Sequence, residues 1–284
     1  MKSIPLLFLS LSVSILLHSC YEGNESINLN EENTTDQNTI PCAGDFECSN
    51  SVSLSTMHPA FDVFRDSSGG NVTITQVSGE IIITTNGMPN HVSPYWSDTH
   101  ANWISATDDG VIADQSLLGT NNAKIDDFTG SFRLTIPICP SLADERTLPT
   151  KGYIGIAVSG ALIHSDSLNN IQTATFINGS LDANGGRTIG SGYHYFFEPL
   201  HLTNNDEALV GIMADGFFLY GRNHVDISQN GTLDCTNGHI HATEHSNGEE
   251  VYHYHIGEEP YEGTGKYILF DKRFSGTPNE IEAL

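Results

Sequence analysis

The apolar positions of the chain fall in short, punctuated runs. Asn71 to Val77, Gly79 to Thr85, Ser131 to Ile138, Tyr153 to Ile163, Leu209 to Met213, Gly216 to Tyr220, Val251 to Ile256 and Lys266 to Phe270 all read as strands. Asn-Gly, Gly-Gly, Asp-Gly and Pro-containing turns separate them, and no segment carries a long helical period. The pattern predicts an all-β fold, a sandwich or a distorted barrel. A weak internal repeat lies inside it. Ile154-Gly155-Ile156-Ala157-Val158-Ser159-Gly160 parallels Val210-Gly211-Ile212-Met213-Ala214-Asp215-Gly216, and Tyr193-His194-Tyr195 parallels Tyr252-His253-Tyr254, at offsets of 56 and 59 residues. The order of both elements is kept, which favours two duplicated halves. Halves meeting across a pseudo-twofold axis are expected to bring His194 toward His253 and His255.

Polar character changes the picture at the N-terminus. One charge, Lys2, precedes an apolar run from Ile4 to Leu17, shorter than the roughly 18 residues of a membrane-spanning helix. Residues 1–19 therefore read as a signal peptide. Leu17-His18-Ser19-Cys20 resembles a bacterial lipoprotein lipobox, and that resemblance implies lipidation of Cys20 and anchoring in a membrane. Residues 21–50 hold no Lys or Arg and seven Asp or Glu, too little apolar surface to fold alone, so residues 20–50 are expected to be a disordered acidic tether and residues 51–284 the β domain. An acidic stretch after such a cysteine also resembles the surface-export signals of Bacteroidota lipoproteins. An outer-membrane lipoprotein, facing the periplasm or the cell surface, is the expectation.

Net charge excludes one class of partner. The whole chain carries 11 Lys and Arg against 35 Asp and Glu, a formal charge of −24; removal of the leader, with Lys2, takes it to 10 − 35 = −25. Phosphate recognition needs a basic footprint, so nucleic acid is not an expected partner. Besides Cys20, four cysteines remain: Cys42, Cys48, Cys139 and Cys235. An even number in an oxidising compartment favours disulfides, and Cys42 with Cys48 plus Cys139 with Cys235 is the locally simplest of three pairings. A thiolate metal ligand at Cys235 is the sharper alternative.

The candidate chemistry is histidine chemistry. Eight of the 13 histidines fall between Tyr193 and Ile256. In Tyr252-His253-Tyr254-His255, a strand would place both imidazoles on one face with Cα atoms about 6.6 Å apart, a span two ligands can close on one ion, and turn the tyrosines into packing. Neutral imidazole suits zinc, copper and iron, so a divalent ion of that group is the expected cofactor. His253 and His255 are the first expected ligands, and His194 would stand opposite them. His91 is presented by a turn that Pro89 stiffens. His239 and His241 repeat the His-x-His spacing in what reads as a loop after Cys235, where a disulfide could hold them. Asp215, Asp226 and Asp234 could give an oxygen ligand or orient a histidine. Alternation marks Phe217, Phe218 and Tyr220 as core, with a sugar-binding aromatic face as the alternative. Ser93-Pro94-Tyr95-Trp96 with Trp103 suggests an aromatic cluster beside His91.

These motifs together resemble the YHYH domain family. The matching segments are Thr85-Asn86-Gly87-Met88-Pro89-Asn90-His91, the two Gly-Ile strands, Asp215-Gly216-Phe217-Phe218-Leu219-Tyr220-Gly221, Leu233-Asp234-Cys235-Thr236-Asn237-Gly238 and Val251-Tyr252-His253-Tyr254-His255, over roughly residues 80–261. The first copy departs from the pattern, because Phe196 follows Tyr195 where the second copy has a second histidine. The resemblance implies an exported bacterial protein and no particular reaction. Without a serine-nucleophile motif, a phosphate loop or a His-Glu-x-x-His helix, metal binding in a lipid-anchored protein is the leading expectation. A metal-dependent hydrolase or oxygenase with an open coordination position is the first alternative, and a surface module for a glycan or other small ligand the second.

Overall fold

The structure, a computed structural model, describes residues 57–109, 124–150, 152–165, 180–190, 192–203, 207–222, 233–261 and 265–284. The leader, Cys20, the acidic segment to residue 50, Cys42, Cys48 and Asp226 lie outside the described residues. Among the described residues two short α-helices, α1 (Ala60–Ser67) and α2 (Ala106–Asp109), accompany fourteen strands. In chain order these are β1 (Val72–Val77), β2 (Glu80–Thr85), β3 (Phe132–Pro137), β4 (Leu142–Thr147), β5 (Tyr153–Ala157), β6 (Leu162–His164) and β7 (Gly186–Ile189). There follow β8 (Gly192–Tyr195), β9 (Leu209–Met213), β10 (Phe218–Tyr220), β11 (Gly238–Ala242), β12 (Glu250–His255), β13 (Phe274–Gly276) and β14 (Ile281–Ala283).

The expected all-β sandwich is what forms. A four-stranded antiparallel sheet, β1-β2-β3-β14, faces an eight-stranded mixed sheet, β11-β12-β10-β9-β5-β6-β8-β7, and β13 pairs with β4. The large sheet ends at β11 and β7 and does not close on itself, which corrects the distorted-barrel option. Alternation explains the layers. Ile81, Ile83, Leu134 and Ile136 of the small sheet pack on Ile156, Leu162, Ile212 and Phe218 of the large one, with Phe61 and Phe64 of α1 beside them. The opposite face of the large sheet carries Tyr193, Tyr195, Tyr252 and Tyr254, covered by Tyr95, Trp96, Leu269 and Phe270. Lys266 to Phe270, expected as a strand, is instead this covering segment: only Ile268 makes an isolated bridge, to Phe197.

The large sheet reads the same from both ends. At its centre β5 and β9 run antiparallel with Ile156 opposite Ile212, and on each side follow one antiparallel partner, one parallel strand and one antiparallel edge. Leu162↔His194 and Ile163↔Tyr195 on one side correspond to Phe218↔His253 and Leu219↔Tyr254 on the other. At the edges, Arg187↔His194 corresponds to His239↔His253. The central approach is close. A Cβ on Gly155 would stand 2.7 Å from the carbonyl oxygen of Ile212, and one on Gly211 2.6 Å from that of Ile156, so both glycines are required by the same contact seen twice.

This symmetry overturns one expectation. Strand β8, with His194, lies five strand spacings from β12 in the sheet order, about 24 Å at ~4.8 Å per strand. The pseudo-twofold axis separates the histidine strands rather than joining them.

Candidate metal centre

Strands β11 and β12 build the site. His239 and His253 are directly paired across this antiparallel ladder, and His255 follows two residues along on the same face. The expected loop after Cys235 is thus an edge strand. On the other face Tyr252 and Tyr254 are buried in the core, with hydroxyls donating to Asp234 at 3.0 Å and to Asp215 at 2.5 Å. Those two carboxylates therefore anchor the tyrosines and do not reach the histidines. Gly238 opens β11 for a steric reason, since a Cβ there would overlap the Tyr252 hydroxyl.

The three imidazoles converge. Nε2 of His239 lies 3.1 Å from Nε2 of His253 and 3.2 Å from Nε2 of His255, and the three ligand atoms lie within 4.8 Å of one another. Nδ1 of His253 donates to the Val251 carbonyl at 2.9 Å, and Nδ1 of His255 to the Gly221 carbonyl at 2.7 Å. A carbonyl only accepts, so both Nδ1 atoms carry the hydrogen and both Nε2 lone pairs face inward, the arrangement that fixes metal-binding histidines. One hydrogen on His239 Nε2 cannot fully serve both neighbours; a cation among them serves all three. The spacings are close to the edge of a tetrahedron, about 3.3 Å for metal–nitrogen bonds of ~2.0–2.1 Å. All three residues are buried, and burial, then the neighbouring His255 and His239, holds the His253 imidazole well below the ordinary histidine range, hence neutral and ligand-competent.

Around the triad the surroundings are aromatic and hydroxylic. The Tyr220 ring lies 5.1 Å from that of His253, and its hydroxyl donates to Thr243 Oγ1 at 3.1 Å, with Nδ1 of His245 3.3 Å away. Three groups of this neighbourhood carry no signal in the sequence pattern: Tyr220 as a wall of the site, Thr243, and His58, whose ring sits 5.0 Å from Phe218 with Nε2 buried and unpartnered. His241 stacks 5.7 Å from His239 but is not part of the converging group. No fourth His, Cys, Asp or Glu joins the three among the described residues.

The remaining expected ligands sit elsewhere. His194, on β8, stacks on Tyr153 at 5.2 Å beside His164, and His91, in the loop after β2, packs 4.3 Å from His201 against Tyr193 and Tyr195 of β8. Cys139 is disulfide-bonded, whereas Cys235 is an exposed thiol whose Sγ receives Nη1 of Arg146 at 3.0 Å. The Cys139–Cys235 pairing is therefore corrected, and the partner of Cys139 lies outside the described residues. Phe217, Phe218 and Tyr220 are buried core, while Trp96 stacks on His100 and Trp103 is 40% exposed. Comparison with protein-family models, with curated proteins and with solved structures yields no match.

Proposed function

We propose that this chain is an exported, lipid-anchored metal-binding protein of YHYH type, in which His239, His253 and His255 hold one zinc or copper ion. The observation that carries the reading is the convergence of three Nε2 atoms, two of them oriented by Nδ1 hydrogen bonds to backbone carbonyls. Three neutral nitrogen donors suit zinc or copper and not calcium or magnesium, which take oxygen ligands. Among the described residues the set also lacks the carboxylate of the two-histidine iron sites. The leader, the lipobox-like Cys20 and the acidic stretch support export and anchoring.

A metalloenzyme is the second reading: the donor count among the described residues is three, and three protein ligands would leave one tetrahedral position for water or a substrate atom. Full-length protein exported by a bacterial host, analysed for metals by mass spectrometry, tests both. About one equivalent of metal, lost in His253→Ala/His255→Ala, is the expected result. Absorption of the cobalt-substituted protein then reports whether the fourth position exchanges with added azide, as an open site requires. No metal after reconstitution with zinc and with copper would refute the site.

A further inference from the structure

The ladder between β11 and β12 carries four histidines on one face, and the triad uses three of them. His239 stands opposite His253 in an antiparallel pair, so a local twofold axis through that pair, normal to the sheet, takes His239 to His253 and His241 to His255. Each strand thus carries the same His-x-His spacing, related by this axis. Ring centroids are 5.0 Å apart for His253 and His255 and 5.7 Å apart for His239 and His241. On β12 that spacing already brings both Nε2 atoms within 3.2 Å of His239 Nε2. Positions two residues apart on this face are therefore close enough to share an ion.

The two strands hold their second histidine differently. His255 is 4% exposed, and its Nδ1 donates to the Gly221 carbonyl at 2.7 Å, which fixes the ring. His241 is half-buried, lies toward the hairpin that joins the strands, and has a stacking contact with His239 at 21° but no side-chain hydrogen bond. Rotation about χ1 and χ2 breaks no hydrogen bond there, and for such a side chain it is fast. The strands differ too. β12 pairs on both sides, with β11 and β10, whereas among the described strands β11 pairs with β12 alone. An ion on His239, His253 and His255 is held chiefly by the inner strand. An ion on His239, His241 and His253 would be held chiefly by the edge strand, beside solvent. The two sets share His239 and His253, so passage between them exchanges one imidazole nitrogen for another and keeps at least two protein ligands on the ion throughout.

We infer that, with the triad as the metal site proposed above, His241 is its exchange ligand: it replaces His255 to give an outer set, His239, His241 and His253, through which the ion enters and leaves. Zinc is the probe, added to full-length protein and withdrawn with a chromophoric chelator. In His241→Asn, stopped-flow loading and chelator-driven removal should both slow by about tenfold, with their ratio moving by less than about threefold, because a ligand used only in passage changes both rates together. His255→Ala reads the outer set directly. It should still take up one equivalent of zinc, weakened by roughly a hundredfold, and His241→Asn added to it should abolish that equivalent. If the cavity left at position 255 prevents folding, the rates of His241→Asn decide. Unchanged rates overturn the proposal, as does zinc affinity in His255→Ala that is indifferent to His241. Slower removal without slower loading is excluded by it as well. Zinc bound by the parent with unchanged rates in His241→Asn removes the exchange role and leaves the triad standing; no zinc in the parent removes the triad and the outer set together.

Discussion

The two halves of the large sheet share strand order, register and even the turn before the edge strand, yet among the described residues only one gathers three converging histidines. Asp182 and Asp234 accept hydrogen bonds from the tyrosines Tyr193 and Tyr252 at 2.7 and 3.0 Å and organise the same backbone turn. Equivalent register positions then diverge: Arg187 stands where His239 stands, Phe196 where His255 stands, and His164 where Tyr220 stands, while His194 matches His253. The guanidinium of Arg187 lies 5.6 Å from the Phe196 ring, and both ring nitrogens of His194 are buried without partners. A fixed backbone thus supports either a convergent set of lone pairs or a packed cation and aromatic pair, and two side chains decide which. His194 occupies the register position of His253 without the other two donors beside it.

The strongest way to sharpen this comparison is to make the halves alike. Arg187→His/Phe196→His should raise the metal content by one equivalent over the parent, measured by mass spectrometry of the reconstituted protein. Phe196 is buried against Leu181 and Phe197, so the metal-free variant should lose about 3 kcal/mol. A folded variant with unchanged metal content would break the equivalence. Next in size is the steric device both halves use. Gly186→Ala and Gly238→Ala should each cost about 1–3 kcal/mol in denaturant unfolding, because a Cβ would overlap Tyr193 or Tyr252. Only Gly238→Ala should also weaken zinc in a competition titration, since of the two edge strands, β7 and β11, only β11 carries a residue of the triad.

A third test uses pH. Burial, then the nearby His164, lowers the His194 imidazole to about 3. The unfolded chain binds this proton below about 6.5 and the folded chain does not until about 3, so stability falls as pH falls through that window, by up to about 1.4 kcal/mol per unit for this residue. His194→Phe should flatten the acid limb by that amount and leave stability at pH 7 equal or higher, because two unpartnered nitrogens disappear. A steeper limb would contradict the assignment. The smallest effect is expected for Cys235→Ser, under about 0.5 kcal/mol with metal content unchanged, since the thiol is exposed and outside the triad. Loss of metal there would restore the thiolate reading.

Much of the fold was legible because alternation is a local signal. The runs at 71–77, 79–85, 131–138 and 209–213 correspond to β1, β2, β3 and β9, and the tyrosines of Tyr252-His253-Tyr254-His255 pack where alternation sends them. β11 was not legible as a strand, because Gly238-His239-Ile240-His241-Ala242 is short and poor in β-branched residues, and its ladder with β12 is a long-range fact. Lys266 to Phe270 misled for the converse reason: its apolar residues cover a sheet face without joining a sheet. The repeat told that two regions are alike and not how far apart they lie. A signal for the edge strands was nonetheless present, since Leu181-Asp182 and Leu233-Asp234 each precede the strand by the same interval. His201 and Asn184 belong to no motif; only folding brings them to His91.

The placement of His239 on β11 has a kinetic consequence. Among the described strands β11 is the last of the open sheet and pairs on one side only, with β12. Edge strands open at a fraction of the free energy of global unfolding. For an ion held as proposed, release would call for the fraying of one strand while the core stays closed, and the residence time would be set by that single ladder.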